Sequence, residues 1–222
     1  MKVVLAILIL PALLARAEPL ADVVARMDRA AQAFRALSAN MKRVQFTAVI
    51  NESNEMEGVV RLKRSKGGTV GIIDFQQPEQ RTVYVNGHNI QIFYPKANTV
   101  EIYDSSKYTS NIDQFLLLGF GSSAAELQKS YDLKMAGTET VSGVATTRIE
   151  MTPKSAELTK LITKIELWIP EGQDNPIQEK VSEPSKNYEL ITYSEIKVNP
   201  SLPESAFELK LPEKVKKIHP QK

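Results

Sequence analysis

Residues 59–103 read VVRLKRSKGGTVGIIDFQQPEQRTVYVNGHNIQIFYPKANTVEIY, and this stretch decides the fold. Val60, Leu62 and Arg64 alternate with Val59, Arg61 and Lys63, the period of two that separates the faces of a strand. Gly67-Gly68 turns the chain, Val70 to Phe75 forms a further strand, and Thr82 to Val85 runs into Asn86-Gly87, a strong hairpin signal. Ile90, Ile92 and Tyr94 then lead through a Pro95 to Asn98 turn into Val100 to Tyr103. Upstream, Val44, Phe46, Ala48 and Ile50 alternate with Arg43, Gln45, Thr47 and Val49 ahead of a turn at Asn51 to Asn54. Six successive antiparallel strands are therefore expected before residue 105.

Further out the period changes. Leu20, Val23, Val24, Met27, Ala31, Phe34 and Leu37 recur at spacings of three and four, which predicts an amphipathic helix of about five turns between Pro19 and Asn40. Ser110-x-x-Asp113 and Ser123-x-x-Glu126 have capping-box spacing, so two short helices are expected between residues 105 and 130. Alternation returns at Leu133 and Met135, at Ile149 and Met151, and at Ile165, Leu167 and Ile169. It continues through Ile177 to Val181, Tyr188 to Tyr193 and Ile196 to Val198, with a helical turn between Pro153 and Leu161. No linker or repeat divides this pattern, so residues 18–222 are expected to form one α+β domain of about ten or eleven antiparallel strands. A sheet of that width curls, closes or splits. Curling around the helices predicts an incomplete, half-open β-barrel with a long N-terminal helix. The Leu116 to Phe120 segment is apolar on all sides, which suits a lid or plug over a greasy cavity.

Composition narrows the function. The chain of 222 residues is 42% apolar, too much for a disordered segment. It has no Cys, which removes disulfides, thiolate metal sites and cysteine nucleophiles. His88 and His219 are the only imidazoles, so a histidine triad or a multi-histidine metal centre is not expected. Gly-x-Ser-x-Gly, phosphate-loop and dinucleotide patterns are missing, and no carboxylate pair stands apart as acid and base. The chain reads as a non-enzyme without cofactor or metal.

Lys2, the apolar run Val3 to Leu10, and Ala15-Arg16-Ala17 have the order of a secretory signal peptide cut after Ala17. Its removal takes away two basic residues, leaving 26 Lys and Arg against 26 Asp and Glu and a net charge of zero. Such a balance gives no counterion-release attraction to nucleic acid, and the Lys214, Lys216, Lys217 cluster reads as a solvated tail. Arg64 falls by parity among Val60 and Leu62. There it either finds acceptors or snorkels to water from the strand end.

The order Leu62-Lys63-Arg64, Gly71 to Phe75, Gln77-Pro78, Val83 to Gly87 and Ile92-Phe93-Tyr94-Pro95 resembles the central motifs of the outer-membrane lipoprotein carriers, the LolA-like family. Asn199-Pro200, Leu202-Pro203, Phe207 and Pro212 resemble the family's closing segment, so the likeness spans essentially the mature chain. The sequence departs from the family pattern at Ser65, Gly71 and Asn86. The resemblance implies a soluble periplasmic half-barrel with a helical lid, and the sequence suggests a monomer. Such a protein takes acylated lipoproteins or lipids from an ATP-driven inner-membrane release complex and passes them to an outer-membrane receptor. Related members act instead as lipid-sensing or signalling adaptors on the same scaffold. Arg64 matches the arginine that latches the lid backbone in the closed state. Phe46, Leu62, Phe75, Phe93, Phe115, Leu117 and Trp168 are the candidate lining of the acyl cavity.

Overall fold

Antiparallel hairpins dominate a chain whose apolar residues alternate over long stretches and whose turns are short. A computed structural model describes residues 18–66, 68–104 and 118–220. The expected signal peptide, the Ser110-x-x-Asp113 cap, Phe115 and Leu117 lie outside the described residues. The elements, in chain order, are α1 (Leu20–Ala33), β1 (Ala36–Thr47), β2 (Glu52–Ser65), β3 (Gly68–Gln77), β4 (Arg81–Asn86), β5 (Asn89–Tyr94) and β6 (Thr99–Asp104). They continue with α2 (Ala124–Ser130), β7 (Tyr131–Val141), β8 (Val144–Pro153), α3 (Ala156–Thr159), β9 (Lys164–Pro170), β10 (Gln178–Ser182) and β11 (Tyr188–Val198). A 3-10 turn at Glu204–Phe207 and β12 (Lys216–Ile218) end the fold.

All twelve strands join one sheet in the order β12-β6-β5-β4-β3-β2-β1-β11-β10-β9-β8-β7, which does not close on itself. Among the described strands only the β12–β6 pairing is parallel. The terminal lysines, read as a solvated tail, are exposed, but Lys216 and Lys217 belong to a paired strand rather than to a tail. Lys216 donates its N–H to the Asn98 carbonyl, and Asn98 Nδ2 donates to the Lys214 carbonyl. Tyr188 to Val198 is one strand rather than two.

Register assigns the faces. Leu37, Ala39 and Met41 on β1 stand beside Leu62, Val60 and Gly58 on β2, and Gly71, Ile73 and Phe75 on β3 share that inner face. Two apolar clusters cover it. One joins Val23 and Met27 of α1 and Leu127 of α2 to Ile149, Met151, Ile165, Leu167 and Ile169. The other joins Phe34, Leu37, Met41, Val60, Leu62, Phe75 and Phe120. Ser123 caps α2 as its spacing predicted: its Oγ accepts the Glu126 N–H at 3.1 Å, and Glu126 accepts the Ser123 N–H at 3.0 Å. α2 is held to α1 by the Ala124 N–H on Asp28 Oδ1, 2.6 Å.

The N-terminal helix is shorter than its periodicity suggested. It ends at Ala33, Phe34 is extended (ψ 126°), and Phe34 and Leu37 pack into the second cluster as chain outside the helix. The reason lies far along the sequence. Asn199 accepts the N–H groups of Arg35 (2.7 Å) and Ala36 (3.1 Å) on Oδ1, and donates from Nδ2 to the Ala33 carbonyl (2.9 Å). One side chain thus satisfies both sides of the helix-to-strand junction, and its φ of 55° is one that Asn tolerates well. Asn199→Ala should lower the unfolding free energy by about 2 kcal/mol, measured by urea titration, because three hydrogen bonds go and the positive φ stays.

Candidate functional site

Where the two clusters fail to meet, the inner face keeps a hollow of about 340 Å³. Met41 from β1, Val60 and Leu62 from β2 and Ile73 from β3 form one wall. Ile191 and Tyr193 of β11, with Glu179 and Val181 of β10, form the other, and Leu118, Leu161 and Ile162 approach from the covering side. A larger hollow of about 680 Å³ lies mainly over the outer face, lined by polar groups such as Asn40, Lys42, Glu57, Gln76 and Thr192. Water satisfies such a surface, whereas the inner hollow is the one that an apolar ligand would gain by filling.

The cover is pinned at a few points. Gly119 adopts φ +72°, and a Cβ there would lie 2.5 Å from the Pro176 ring, so only glycine lets the chain pass. Phe120 meets the Tyr193 ring edge-on, centroids 5.2 Å apart. Arg64 Nη2 donates to the Gly121 carbonyl at 2.6 Å, while the Arg64 backbone N–H donates to the Arg35 carbonyl. The two readings of Arg64 merge: it finds an acceptor at the strand end and remains exposed.

Inside the hollow Tyr193 donates its hydroxyl proton to Glu179 Oε1 at 2.9 Å. Glu179 is buried and Tyr193 half-buried. Burial, with the Glu189 charge adding to it, pushes the Glu179 carboxyl up to about 8, against the hydrogen bond from Tyr193. Burial and the neighbouring carboxyl raise Tyr193 as well, so it stays a donor. Glu189 is held by a bidentate ion pair with Arg43 across the β1–β11 pairing.

The sequence-predicted residues divide between the two faces. Leu62 lines the hollow, and Phe75 is buried on the same face in the neighbouring cluster. Phe46, Phe93 and Trp168 are corrected to the outer face. Phe46 is in register with Ser53 and Tyr188, and it stacks on the Tyr188 ring at 5.0 Å. Phe93 is in register with Thr82, which donates to Asp74 on the outer side, and it is covered by the segment around Ala206 and Leu209. Trp168 alternates with the inward Leu167 and Ile169, and its indole N–H donates to Glu139. Glu179, Tyr193 and Ile191 were missed, whereas Phe120 belongs to the Leu116 to Phe120 segment read as a lid. For Glu179 a signal existed, since its parity with Ile177 and Val181 is the argument already applied to Arg64.

The family model for the outer membrane lipoprotein carrier protein LolA matches residues 33–210. The chain belongs to the LolA family. A search of curated protein sequences finds no match. Among solved structures, an uncharacterised conserved protein from Thermus thermophilus is 12% identical, with a TM-score of 0.55 over 90% of this chain and 98% of that one. MucB is 12% identical with a TM-score of 0.53 over 86% of this chain and 62% of that one. The Mycobacterium tuberculosis lipoprotein LppX is 13% identical with a TM-score of 0.50 over 83% and 99%. At these identities the likeness is one of fold: an open, mostly antiparallel sheet with few helices. The LolA family is one of lipid and lipoprotein binding rather than of catalysis.

In this LolA-family chain the Glu179 carboxyl links pH to stability. Folding raises it from the ordinary 4.5 to about 8, so between those values the folded state holds a proton that the unfolded state has lost. Stability is then fully present below about pH 4.5 and falls as pH rises, by up to about 1.4 kcal/mol per pH unit, until the folded carboxyl ionises. Thermal melts from pH 5 to 8 should show a declining midpoint in the wild type and a flatter profile in Glu179→Gln.

Proposed function

We propose that this LolA-family protein shields the acyl chains of lipoproteins or lipids in the inner-face hollow and carries them through the periplasm from the inner to the outer membrane. An ATP-driven release complex would supply the cargo and an outer-membrane receptor would accept it. The observation that carries this reading is the apolar hollow left at the seam of two core clusters beneath the Leu118 to Gly121 cover. An acyl chain gains about 0.8 kcal/mol per buried methylene, so a tail of about 15 methylenes withholds about 12 kcal/mol from water. At 340 Å³ the hollow is near the lower end of small-ligand sites, and a larger cargo requires the cover to swing out.

Arg64 is the proposed latch, because its guanidinium grips the cover by main chain and so is indifferent to the side chains there. Protein purified from the periplasm should carry extractable lipid detectable by mass spectrometry and should bind a neutral fluorescent apolar probe. A lipid-free, probe-silent protein overturns the carrier reading. Arg64→Leu should leave the fold intact and speed deuterium exchange of amides 118–123 about fivefold, the equivalent of about 1 kcal/mol of lost closure. Unchanged exchange removes Arg64 from the latch.

A further inference from the structure

The polar groups of the hollow have a pattern that acyl binding alone does not require. Among the described lining residues are three carboxyls, Glu179, Glu183 and Glu189, and no Lys or Arg. The cation nearest in the register, Arg43, spends both arms of its guanidinium on Glu189. Tyr193 spends its hydroxyl proton on Glu179. A ligand entering with a negative head group would lose its hydration and meet acids without a matching cation. A ligand with an ester or amide carbonyl brings an uncharged acceptor, and a buried acceptor needs a donor. Glu179 in its acid form has one O–H to give while still accepting from Tyr193.

We infer that the hollow selects uncharged lipids, whose ester or amide carbonyl accepts a hydrogen bond from the Glu179 carboxylic acid, over free fatty acids and other lipids that would bring an anionic head inside. This rests on the lipid-carrier reading and specifies its ligand class. Burial keeps the Glu179 proton in place at neutral pH. The groups facing it are consistent with that state. β9 presents the apolar Ile165 and Leu167, β11 presents Ile191, Tyr193 and Glu189, β1 presents Arg43 to Glu189, and Glu183 follows β10. Nothing in this set brings an unpaired positive charge to hold Glu179 ionised at neutral pH.

The test uses the mature full chain loaded with the neutral probe N-phenyl-1-naphthylamine and displaced by methyl palmitate or palmitate. Each lipid's competing strength is corrected for its partition into phosphatidylcholine vesicles. At pH 7 methyl palmitate should displace the probe at a concentration about tenfold below palmitate, the equivalent of one pK unit of discrimination. Raising the pH to 9 should weaken the ester in the wild type and leave it unchanged in Glu179→Gln. Palmitate competing as well as the ester at pH 7 overturns the inference by wild-type measurement alone. So does an identical pH response in the folded variant. If the natively folded protein takes up no probe, or if neither lipid displaces it, the carrier reading itself falls and the ligand class falls with it.

Discussion

The inner face of one unbroken sheet sets the terms for everything else. One face of the twelve-stranded sheet carries a continuous run of apolar side chains, and such a face must be removed from water by something other than the strands that bear it. Among the described residues the helices are too few for the task. α1 and α2 cover the side built from β7, β8 and β9, where the first cluster is buried and continuous. Over β1, β2 and β3 no full helix packs among the described residues, and the side chains of Phe34 and Phe120 serve instead. The hollow is the strip between these two solutions. A filled core would need another helix there, and a closed barrel would need β7 to pair with β12.

Much of this frame is legible in the sequence because alternation and turn chemistry are local. The hairpins from β2 to β6, the Ser123 cap and the alternating runs of β8 to β11 each follow from residues within a few positions. What is not legible depends on partners far along the chain. The helical period continues through Phe34 and Leu37, yet Asn199 draws the backbone out of the helix at Ala33. β12 has no strand-like pattern of its own and forms because Asn98 and β6 offer it an edge.

The site shows the same division. Arg64 and Glu179 can both be found by parity, since a charged residue in phase with apolar neighbours must meet something on that face. Parity fails for the aromatics because the outer face is not uniformly polar. Phe46 stacks on Tyr188, whose ring also carries Lys180 Nζ at 4.1 Å, and the C-terminal segment covers Phe93. Arg61 reaches the Ala206 carbonyl and Asp74 from that face, fixing the segment in place. With apolar groups on both sides of β1, Val44 and Phe46 point to the wrong face, while the less conspicuous Leu37, Ala39 and Met41 build the inner wall. The alternation of β1 also ends sooner than it reads: Val49 and Ile50 are exposed at the hairpin tip, 90% and 59%.

The latch and the buried acid are joined by a short path of contacts. Arg64 holds the Gly121 carbonyl, Phe120 beside it lies edge-on against Tyr193, and Tyr193 donates to Glu179. An acyl chain pushing between Leu62 and Leu118 therefore cannot widen the hollow without loading the Phe120–Tyr193 contact. The opposing energies are comparable. One hydrogen bond from an exposed arginine and one aromatic edge contact contribute about 1 kcal/mol each, and the buried side chains of Leu118 and Phe120 about 2 kcal/mol each, against about 0.8 kcal/mol for every methylene that a ligand would bury. On the proposed carrier reading, such a cover would open where cargo buries more apolar surface than the cover gives up, and release would require only an acceptor that buries the same methylenes better. On the same reading, the Arg64 hydrogen bond and the buried Leu118 and Phe120 would set the closed state of the empty protein, and the apolar face of the sheet would set how firmly a bound chain is held.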